Sequence, residues 1–363
     1  MSTPVTASAK KTARDPRNGL RIAATLATIF TILGHKVFGF EQSGAHVLVA
    51  LATGYICSFV FETVDAWANG RPPGFAGGGV RRFVDFFVST HMTAITVGFL
   101  MYTNSHFWAL ALIVAVAIGS KYFLRVEIGG KTRHFMNPSN MGMVTALVFY
   151  QWTAVIPWGL TTLLHGPALW IVPAVVMFLG LRLNLLYTGK LPLIASFVLV
   201  FVAQAIVRSL LLGNPLLAEL AILTNVPMAL FVLYMITDPQ TSPSEMRGQI
   251  VFGVAIATCY GVLMAARVNF TLALCLTMVV ASRGVLLYVE SLRERGLLKV
   301  PAAWSKREAP AGAAHAVAPA LGANGVMSGV SAHAVTSGVR AHAVTSGVGA
   351  RAVTSAGVEG SKP

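Results

Sequence analysis

Two polar breaks in an otherwise apolar sequence contain residues that could hold a ligand. The first break, SKYFLRVEIGGKTRHFMNPSN, covers residues 120–140, and the second, TDPQTSPSEMRGQ, covers residues 237–249. Each break ends one helix and starts another, and a helix start presents free backbone N–H groups and partial positive charge. Arg133 lies near the first helix start and Arg247 near the second. The pattern therefore favours a phosphate, a carboxylate or a reduced quinoid oxygen at these breaks.

Both breaks contribute to the predicted binding site. Its basic, amide and hydroxyl groups would hold an anionic or quinoid ligand, and Asp238 would order the turn or accept a proton. The predicted cofactor-binding residues are Lys121, Arg133, Asn137, Ser139, Asn140, Thr237, Asp238, Thr241 and Arg247. These residues do not single out a catalytic group. Their spacing alone is also typical of well-capped turns that bind nothing.

The helix starts themselves can be predicted from capping residues. In NPSN (residues 137–140), Ser and Asn can cap the apolar run that follows. In the second break, Asp238-Pro239 should stop the incoming helix, and residues 242–245 offer a cap, a first-turn proline and an early acid. We expect both helix starts at the cytoplasmic membrane face.

The surrounding composition is that of a membrane protein. The 363 residues are 55% hydrophobic and 11% charged, with a mean hydropathy of +0.69, whereas soluble domains carry about 25% charged residues. We predict an all-α polytopic fold in the lipid bilayer with about ten transmembrane helices. The predicted spans are residues 20–40, 45–64, 84–102, 107–126, 140–158, 167–187, 190–212, 216–237, 249–266 and 268–289.

The distribution of basic residues predicts the orientation. With the N-terminus inside, nearly all Lys and Arg residues that flank the spans are cytoplasmic, and only Lys36, Arg208 and Arg267 fall outside. The positive-inside rule then places both termini in the cytoplasm. The net charge of +14 is spread over helix flanks rather than clustered on a soluble module, so we expect no nucleic-acid partner.

The sequence gives no pattern typical of a metal site. The three cysteines lie singly in apolar segments without CxxC spacing. Two ionisable residues, His91 and Glu62, are predicted at similar depth on neighbouring helices. They could form a proton-handling pair, or each could make an ordinary hydrogen bond between helices.

Three regions follow from these patterns. Residues 1–19 form a basic cytoplasmic segment, residues 20–290 the membrane domain, and residues 291–363 a cytoplasmic tail. The tail contains AHAVTSGVR, AHAVTSGVG and ARAVTSAGV, three copies of a nine-residue repeat. It has too few large apolar residues to offset the entropy of ordering, so we predict that it is largely disordered.

Several segments resemble a known family of membrane proteins. RHFMNPSN (133–140), MITDPQTSP (235–243) and RGQIVFG (247–253) resemble the D-type membrane component of the Rnf electron-transport complex and the related B-type component of the sodium-translocating NADH:quinone reductase. GHKVFGFEQS (34–43), TGKLPLIASFVLVFVAQAIVRS (188–209) and ASRGVLLY (281–288) are most similar to the standalone UnbU-type membrane proteins associated with enediyne biosynthesis. The similarity extends over about residues 15–288.

The resemblance implies a multi-pass protein of the bacterial cytoplasmic (inner) membrane that transports electrons with a flavin. In that family a threonine in an SGAT-like sequence carries FMN through a phosphoester. Here the related sequence is Ser43-Gly44-Ala45-His46 in a different loop, so no threonine matches the attachment site. We therefore expect a noncovalent flavin or a quinone at the two breaks, and another redox or biosynthetic protein as partner.

Two other functional classes remain open. Transporters of small solutes or ions also place helix ends at their substrates, but near the middle of the membrane. The two breaks are expected near one face instead. A membrane scaffold for a biosynthetic enzyme would need no cofactor.

Overall fold

The computed structural model describes residues 16–40, 42–155 and 163–297. In these residues, seven helices are long and apolar enough to cross a membrane, and a pair bent by 61° makes an eighth if it counts as one span. The β-structure of the described residues is confined to two short antiparallel pairs. The prediction of an all-α, multi-pass membrane protein is confirmed.

The first half of the chain contains five helices and all four strands of the described residues. Its elements are α1 (Pro16–Leu33) with a π-turn (Gly34–Phe38), α2 (Gly44–Ala68), α3 (Gly79–Leu100), β1 (Met101–Tyr102), α4 (Phe107–Phe123), β2 (Arg125–Ile128), β3 (Lys131–His134), α5 (Pro138–Phe149) and β4 (Ala154–Val155). Strands β2 and β3 form a hairpin, whereas β4 pairs with β1 and so ties the end of α5 to the end of α3.

The second half contains the remaining helices. Its elements are α6 (Ala168–Leu183) with a π-turn (Asn184–Thr188), α7 (Leu191–Leu212), α8 (Leu216–Ala221) with a 3₁₀-turn (Ile222–Thr224), α9 (Val226–Leu230) with a π-turn (Phe231–Met235), α10 (Met246–Ala265) and α11 (Thr271–Glu294). Helices α8 and α9 are the bent pair. Together they hold the third place in the second half, as α3 does in the first half.

The two halves repeat one plan. Each begins with a long helix whose π-turn is closed by a glycine in the left-handed region, Gly39 (φ 77°) and Gly189 (φ 64°). In each half the second and fourth helices pack side by side, α2 on α4 and α7 on α10. Both pairs run parallel, since Phe61 near the end of α2 contacts Phe123 at the end of α4, while Gly261 on α10 lies against Gln204 on α7.

The halves are inverted relative to each other. Gly19, near the start of α1, lies against Tyr187 in the π-turn that follows α6. Leu163, just before α6, donates its backbone N–H to the carbonyl of Phe38 at the end of α1 (3.1 Å). Helices α1 and α6 are thus antiparallel. We call the end of the bundle where α1 begins the proximal end and the opposite end the distal end.

Helix α11 also finishes at the proximal end. The carboxylate of Glu294 accepts the backbone N–H of Gly129 at the tip of the β2–β3 hairpin (3.1 Å). Arg295 forms an ion pair with Glu127 on the same hairpin (2.7 Å). The described chain therefore enters and leaves the bundle at one end.

Three predicted spans differ from the structure. The predicted span 107–126 is the 17-residue α4, and the predicted span 140–158 contains the 12-residue α5, which stops at Phe149. The predicted span 216–237 is broken at Asn225, whose side chain accepts the N–H of Met228 and caps α9 (2.8 Å). An apolar run records hydropathy but not a bend or an early helix end, and this explains the overestimated helix lengths.

The predicted domain boundaries shift slightly. Helix α1 begins at Pro16 and α11 extends to Glu294, beyond the predicted limits of 20 and 290. The basic segment up to residue 15 and the tail from residue 298, with its nine-residue repeats, lie outside the described residues.

Ion pairs close the proximal end of the first half. Glu62 on α2 accepts a hydrogen bond from Arg71 (2.6 Å). Asp65, one turn later, pairs with Arg71 and with Arg125, which follows α4 (3.1 Å). The guanidinium of Arg125 lies 4.6 Å from the ring centre of Tyr122. We call this group the proximal clamp.

A buried ion pair closes the distal end of the second half. Arg208 on α7 contacts Glu219 on α8 (2.6 Å), and both side chains are less than a tenth exposed. Arg208 also donates to Gln204 (2.6 Å), and Asn214 donates to Glu219 (2.9 Å). The guanidinium lies 5.8 Å from the ring centre of Tyr260 on α10. We call this group the distal clamp.

Candidate functional site

The two polar breaks meet where the halves join. The side-chain amide of Asn137 donates to the carbonyl of Met235 (3.3 Å) and to a carboxylate oxygen of Asp238 (3.5 Å). These residues are about 100 positions apart in the chain, and they belong to the first and second half respectively. The site therefore exists only in the assembled fold.

The NPSN segment starts α5 as its capping pattern predicts. The side chain of Asn137 is the N-cap and accepts the backbone N–H of Asn140 (3.0 Å), with a proline in the first turn. Asn140 is 1% exposed. Its amide nitrogen donates to the carbonyl of Ala273 (3.0 Å) and to the hydroxyl of Thr277 (2.7 Å), both on α11.

Asp238 organises the TDPQTSP turn rather than capping a helix. Its carboxylate accepts the N–H of Gln240 (3.1 Å) and the hydroxyl of Thr241 (3.3 Å), which is the local bonding typical of an Asx turn. The predicted cap in residues 242–244 is wrong, because the N-cap of α10 is Glu245 and no side chain caps it. Thr237 is buried and donates to the carbonyl of Leu233 (2.7 Å).

Cations from three different elements surround this turn. The ammonium of Lys121 donates to the carbonyl and hydroxyl of Ser89 on α3 (3.0 and 3.1 Å). Lys190, only 3% exposed, donates to the carbonyl of Pro243 (2.5 Å). Arg283 on α11 donates to the carbonyl of Thr241 (2.9 Å).

Two of these cations, Lys190 and Arg283, were missing from the predicted set. They reach the turn from positions 53 and 42 residues away, and no local spacing indicates such contacts. A signal did exist for Arg283, which lies within an otherwise apolar span. A charged residue in such a span needs a partner and is a functional suspect.

Positive charge exceeds negative charge at the turn. Lys121 and Lys190 both attract Asp238, the carboxylate at the centre. Burial raises the pKa of Asp238 above its ordinary value despite these cations. Burial also lowers the pKa of Lys190 to about 8, which Asp238 partly offsets. An anionic ligand group would relieve the uncompensated positive charge.

The cluster lies about one helical turn inside the charged proximal end. Lys121 is four residues from Arg125 of the proximal clamp, and Ser89 is four residues from Asp85, which pairs with Arg21 (2.7 Å). One turn is about 5.4 Å. The start of α5 lies deeper, since Gly142 packs against Ala117. Ala117 precedes Lys121 by one turn of α4 and is therefore farther from the proximal end.

Three predicted residues do not join the hydrogen-bonded cluster. Arg133 is exposed on β3, and Arg247 is exposed in the first turn of α10. Ser139 is half-buried. As ligand contacts these three stay predictions. They share the local sequence pattern of the cluster residues, and sequence spacing alone does not tell which side chains point inward.

Of the two alternatives for His91 and Glu62, the proton-handling pair is wrong. The ring nitrogens of His91 contact the hydroxyls of Thr28 (2.8 Å) and Tyr55 (2.7 Å), which links α3 to α1 and α2. Glu62 belongs to the proximal clamp. The alternative, ordinary hydrogen bonds between helices, is confirmed for His91, whereas Glu62 bonds to Arg71 and Gly74 in the α2–α3 loop.

Two buried amide oxygens belong to the last residues of the two breaks and lack a hydrogen-bond partner among the described residues. They are Oδ1 of Asn140 and Oε1 of Gln249, which is 4% exposed on the first turn of α10. Buried acceptors without a donor are costly. A ligand with an N–H or O–H donor would satisfy such an acceptor, and acceptor oxygens on the same ligand would suit the cations.

Within the described ranges, no group of three or more His, Cys, Asp or Glu side chains could hold a metal ion. Comparisons with protein-family models and with curated proteins return no match to this chain. The family resemblance of the NPSN and TDPQTSP segments thus remains an expectation.

Proposed function

We propose that the chain is a membrane electron-transport protein that holds a noncovalent flavin, such as FMN, where NPSN meets TDPQTSP. The observation that supports this most is the combination of half-buried Lys121 and buried Lys190 near Asp238 with the unpartnered acceptor of Asn140 at the adjoining start of α5. A solvent-exposed turn would need neither, because water would satisfy its polar groups.

The chemistry of a flavin ring matches this donor and acceptor set. One edge of the ring has an N–H donor between two carbonyl oxygens. Asn140 and Gln249 offer acceptors, and Lys121 and Lys190 each use two of three ammonium N–H donors on protein oxygens. A bound flavin would supply one- and two-electron transfer. The cations would stabilise its reduced, anionic form.

A quinone is the alternative ligand. Its carbonyl oxygens would also accept from Lys121 and Lys190. An oxidised quinone ring has no donor, however, and would leave the oxygen of Asn140 unsatisfied. The site residues therefore favour flavin.

The orientation that we propose places the proximal end in the cytoplasm. The short α4 and α5 then count with the other spans as ten passages, and both termini are cytoplasmic. A soluble or membrane-bound redox partner would dock at this end. Reporter fusions after Tyr102 and after Glu290 should report opposite sides, and the same side for both would refute this orientation.

Purification in mild detergent tests the flavin proposal. We expect a flavin spectrum that acid precipitation releases from the protein. Asn140→Ala should retain about tenfold less flavin because it removes a buried acceptor, whereas Asn269→Ala in an exposed distal loop should match the wild type. A colourless wild-type protein from flavin-replete cells, unable to exchange electrons with quinone analogues, would refute the redox function and favour a scaffold.

The inverted halves support a second candidate, a transporter of a small anion. Inverted repeats are common in transporters, whose sites lie near the membrane midplane at the repeat interface. Here Lys121 and Ser89 lie about one turn from the proximal charges, which favours the redox function. Proteoliposomes that accumulate a small organic anion without any flavin would reverse this preference.

A further inference from the structure

A cavity of about 340 Å³ lies between the two halves, and Met235 belongs both to its wall and to the polar cluster. Its walls come from α1 and α3 of the first half and from α6, α9 and the following π-turn of the second. The lining is hydrocarbon and aromatic except for Thr96 and Tyr234, and the Tyr234 hydroxyl already faces the carbonyl of Val176 (3.4 Å). The walls therefore offer almost nothing to a polar ligand.

The cavity is accessible from the outer surface of the bundle. Its rim residues on α1 and α6 are about half exposed: Ile29 48%, Leu33 40%, Ile171 58% and Val175 49%. Spans of this hydropathy have lipid around them. A dry apolar space that opens sideways between two spans is filled most favourably by a hydrocarbon chain.

A lysine lies beside the distal part of this cavity. Lys36 is exposed on the π-turn between Leu33 and Phe38, both of which line the cavity. It is one of the few basic residues at the distal end, where the predicted orientation disfavours positive charge. A phosphate would give this lysine a partner of opposite charge.

We infer that this cavity binds one acyl chain of a phospholipid, with the lipid phosphate against Lys36. The chain lies between α1 and α6 and so packs against both halves. The inference does not depend on a flavin at the polar cluster. The lipid would fill a seam that the side chains leave open.

Crosslinking with a diazirine-bearing phosphatidylglycerol in liposomes tests the inference. Crosslinks should concentrate on α1, α3 and α6. Ala27→Trp, which fills the cavity, should reduce them about tenfold, whereas Ala203→Trp on an exposed face of α7 should not. Lys36→Met should weaken retention of the lipid in native mass spectrometry, and Lys36→Arg should restore it.

Three outcomes would overturn the inference. Crosslinks spread evenly around the bundle would indicate surface lipid only. Equal labelling of Ala27→Trp and wild type would place the chain elsewhere. Displacement of the phospholipid by a diazirine-bearing isoprenoid chain, with no effect of Lys36→Met, would assign the cavity to an isoprenoid. Unfolding measurements on each variant separate loss of binding from loss of fold.

Discussion

The two halves close at opposite ends with the same kind of device. In the first half, Arg125 lies over Tyr122 at the proximal end. In the second half, Arg208 lies over Tyr260 at the distal end. Each device joins the second helix of its half to the tyrosine-bearing fourth helix. An inverted repeat thus places matching ion pairs on opposite sides of the membrane.

The clamps differ in burial, and this difference should control their energetics. Arg208 and Glu219 are each less than a tenth exposed, whereas Arg71 is 38% exposed. Breaking one partner of a buried pair leaves an uncompensated charge, but water can replace the partner of an exposed one. The distal clamp should therefore be the more sensitive to mutation.

Arg208→Met should have the largest effect. It leaves Glu219 buried without its cation, and the expected loss is about 3–5 kcal/mol in the free energy of unfolding. Denaturation in detergent micelles measures this loss. The double variant Arg208→Met/Glu219→Leu should recover much of it, since no buried charge remains. A double variant as unstable as Arg208→Met would show that the pair itself is needed.

Arg71→Met should cost less, about 1–3 kcal/mol. Glu62 keeps the backbone N–H of Gly74 as a donor (2.7 Å), and Asp65 keeps Arg125. The same denaturation experiment applies. A loss equal to that of Arg208→Met would contradict the difference between the clamps.

The contrast between halves extends to the proposed ligand site, where the second half contributes Lys190. Because burial lowers the pKa of Lys190 to about 8, the ammonium loses its proton as pH rises through that value. Asp238, Lys121 and Arg283 also face this turn, and a rising pH makes Asp238 more anionic. FMN affinity should therefore fall about tenfold as the pH rises from below to above about 8.

Two variants test the role of Lys190 in that pH profile. Lys190→Arg should bind FMN with little dependence near pH 8, because a guanidinium stays charged. Lys190→Met should bind weakly throughout. An unchanged profile in Lys190→Met would assign the titration to another group.

The two π-turn glycines give the smallest and most local comparison. Gly189→Ala should cost about 1 kcal/mol, the strain of a left-handed residue, because open space surrounds it. Gly39→Ala should cost more, since its added carbon meets Leu163. Thermal unfolding of the two variants measures the difference. Equal losses would mean that Leu163 moves aside without cost.

Local patterns predicted the parts of the site that depend on neighbouring residues. The NPSN motif indicates the Asn137 cap because its donor is three residues away. The Asp-Pro pair indicates the turn, and the carboxylate of Asp238 orders it through Gln240 and Thr241. Contacts from Lys190 and Arg283 depend on how the halves assemble. No pattern within either break contains that information.

Helix lengths show the same limit. Hydropathy predicted that residues 107–126 and 140–158 are apolar, but not that α5 ends at Phe149. The cap at Asn225 followed by Pro227 was a readable signal for the break between α8 and α9. The inversion of the halves required contacts such as Gly19 with Tyr187, two residues that are separated in the chain by nearly the whole first half and α6.

Helix α5 also affects how the protein fits its bilayer. Its 12 residues extend about 18 Å, less than the roughly 30 Å of a hydrocarbon core. The chain covers the remaining depth as non-helical backbone, with Phe135 packed against Gly284 and Met136 5% exposed. Non-helical backbone is tolerated at such depth only when protein surrounds it. The α4–α5 side should therefore favour a locally thinner membrane, and the proposed electron transfer should slow as acyl chains lengthen.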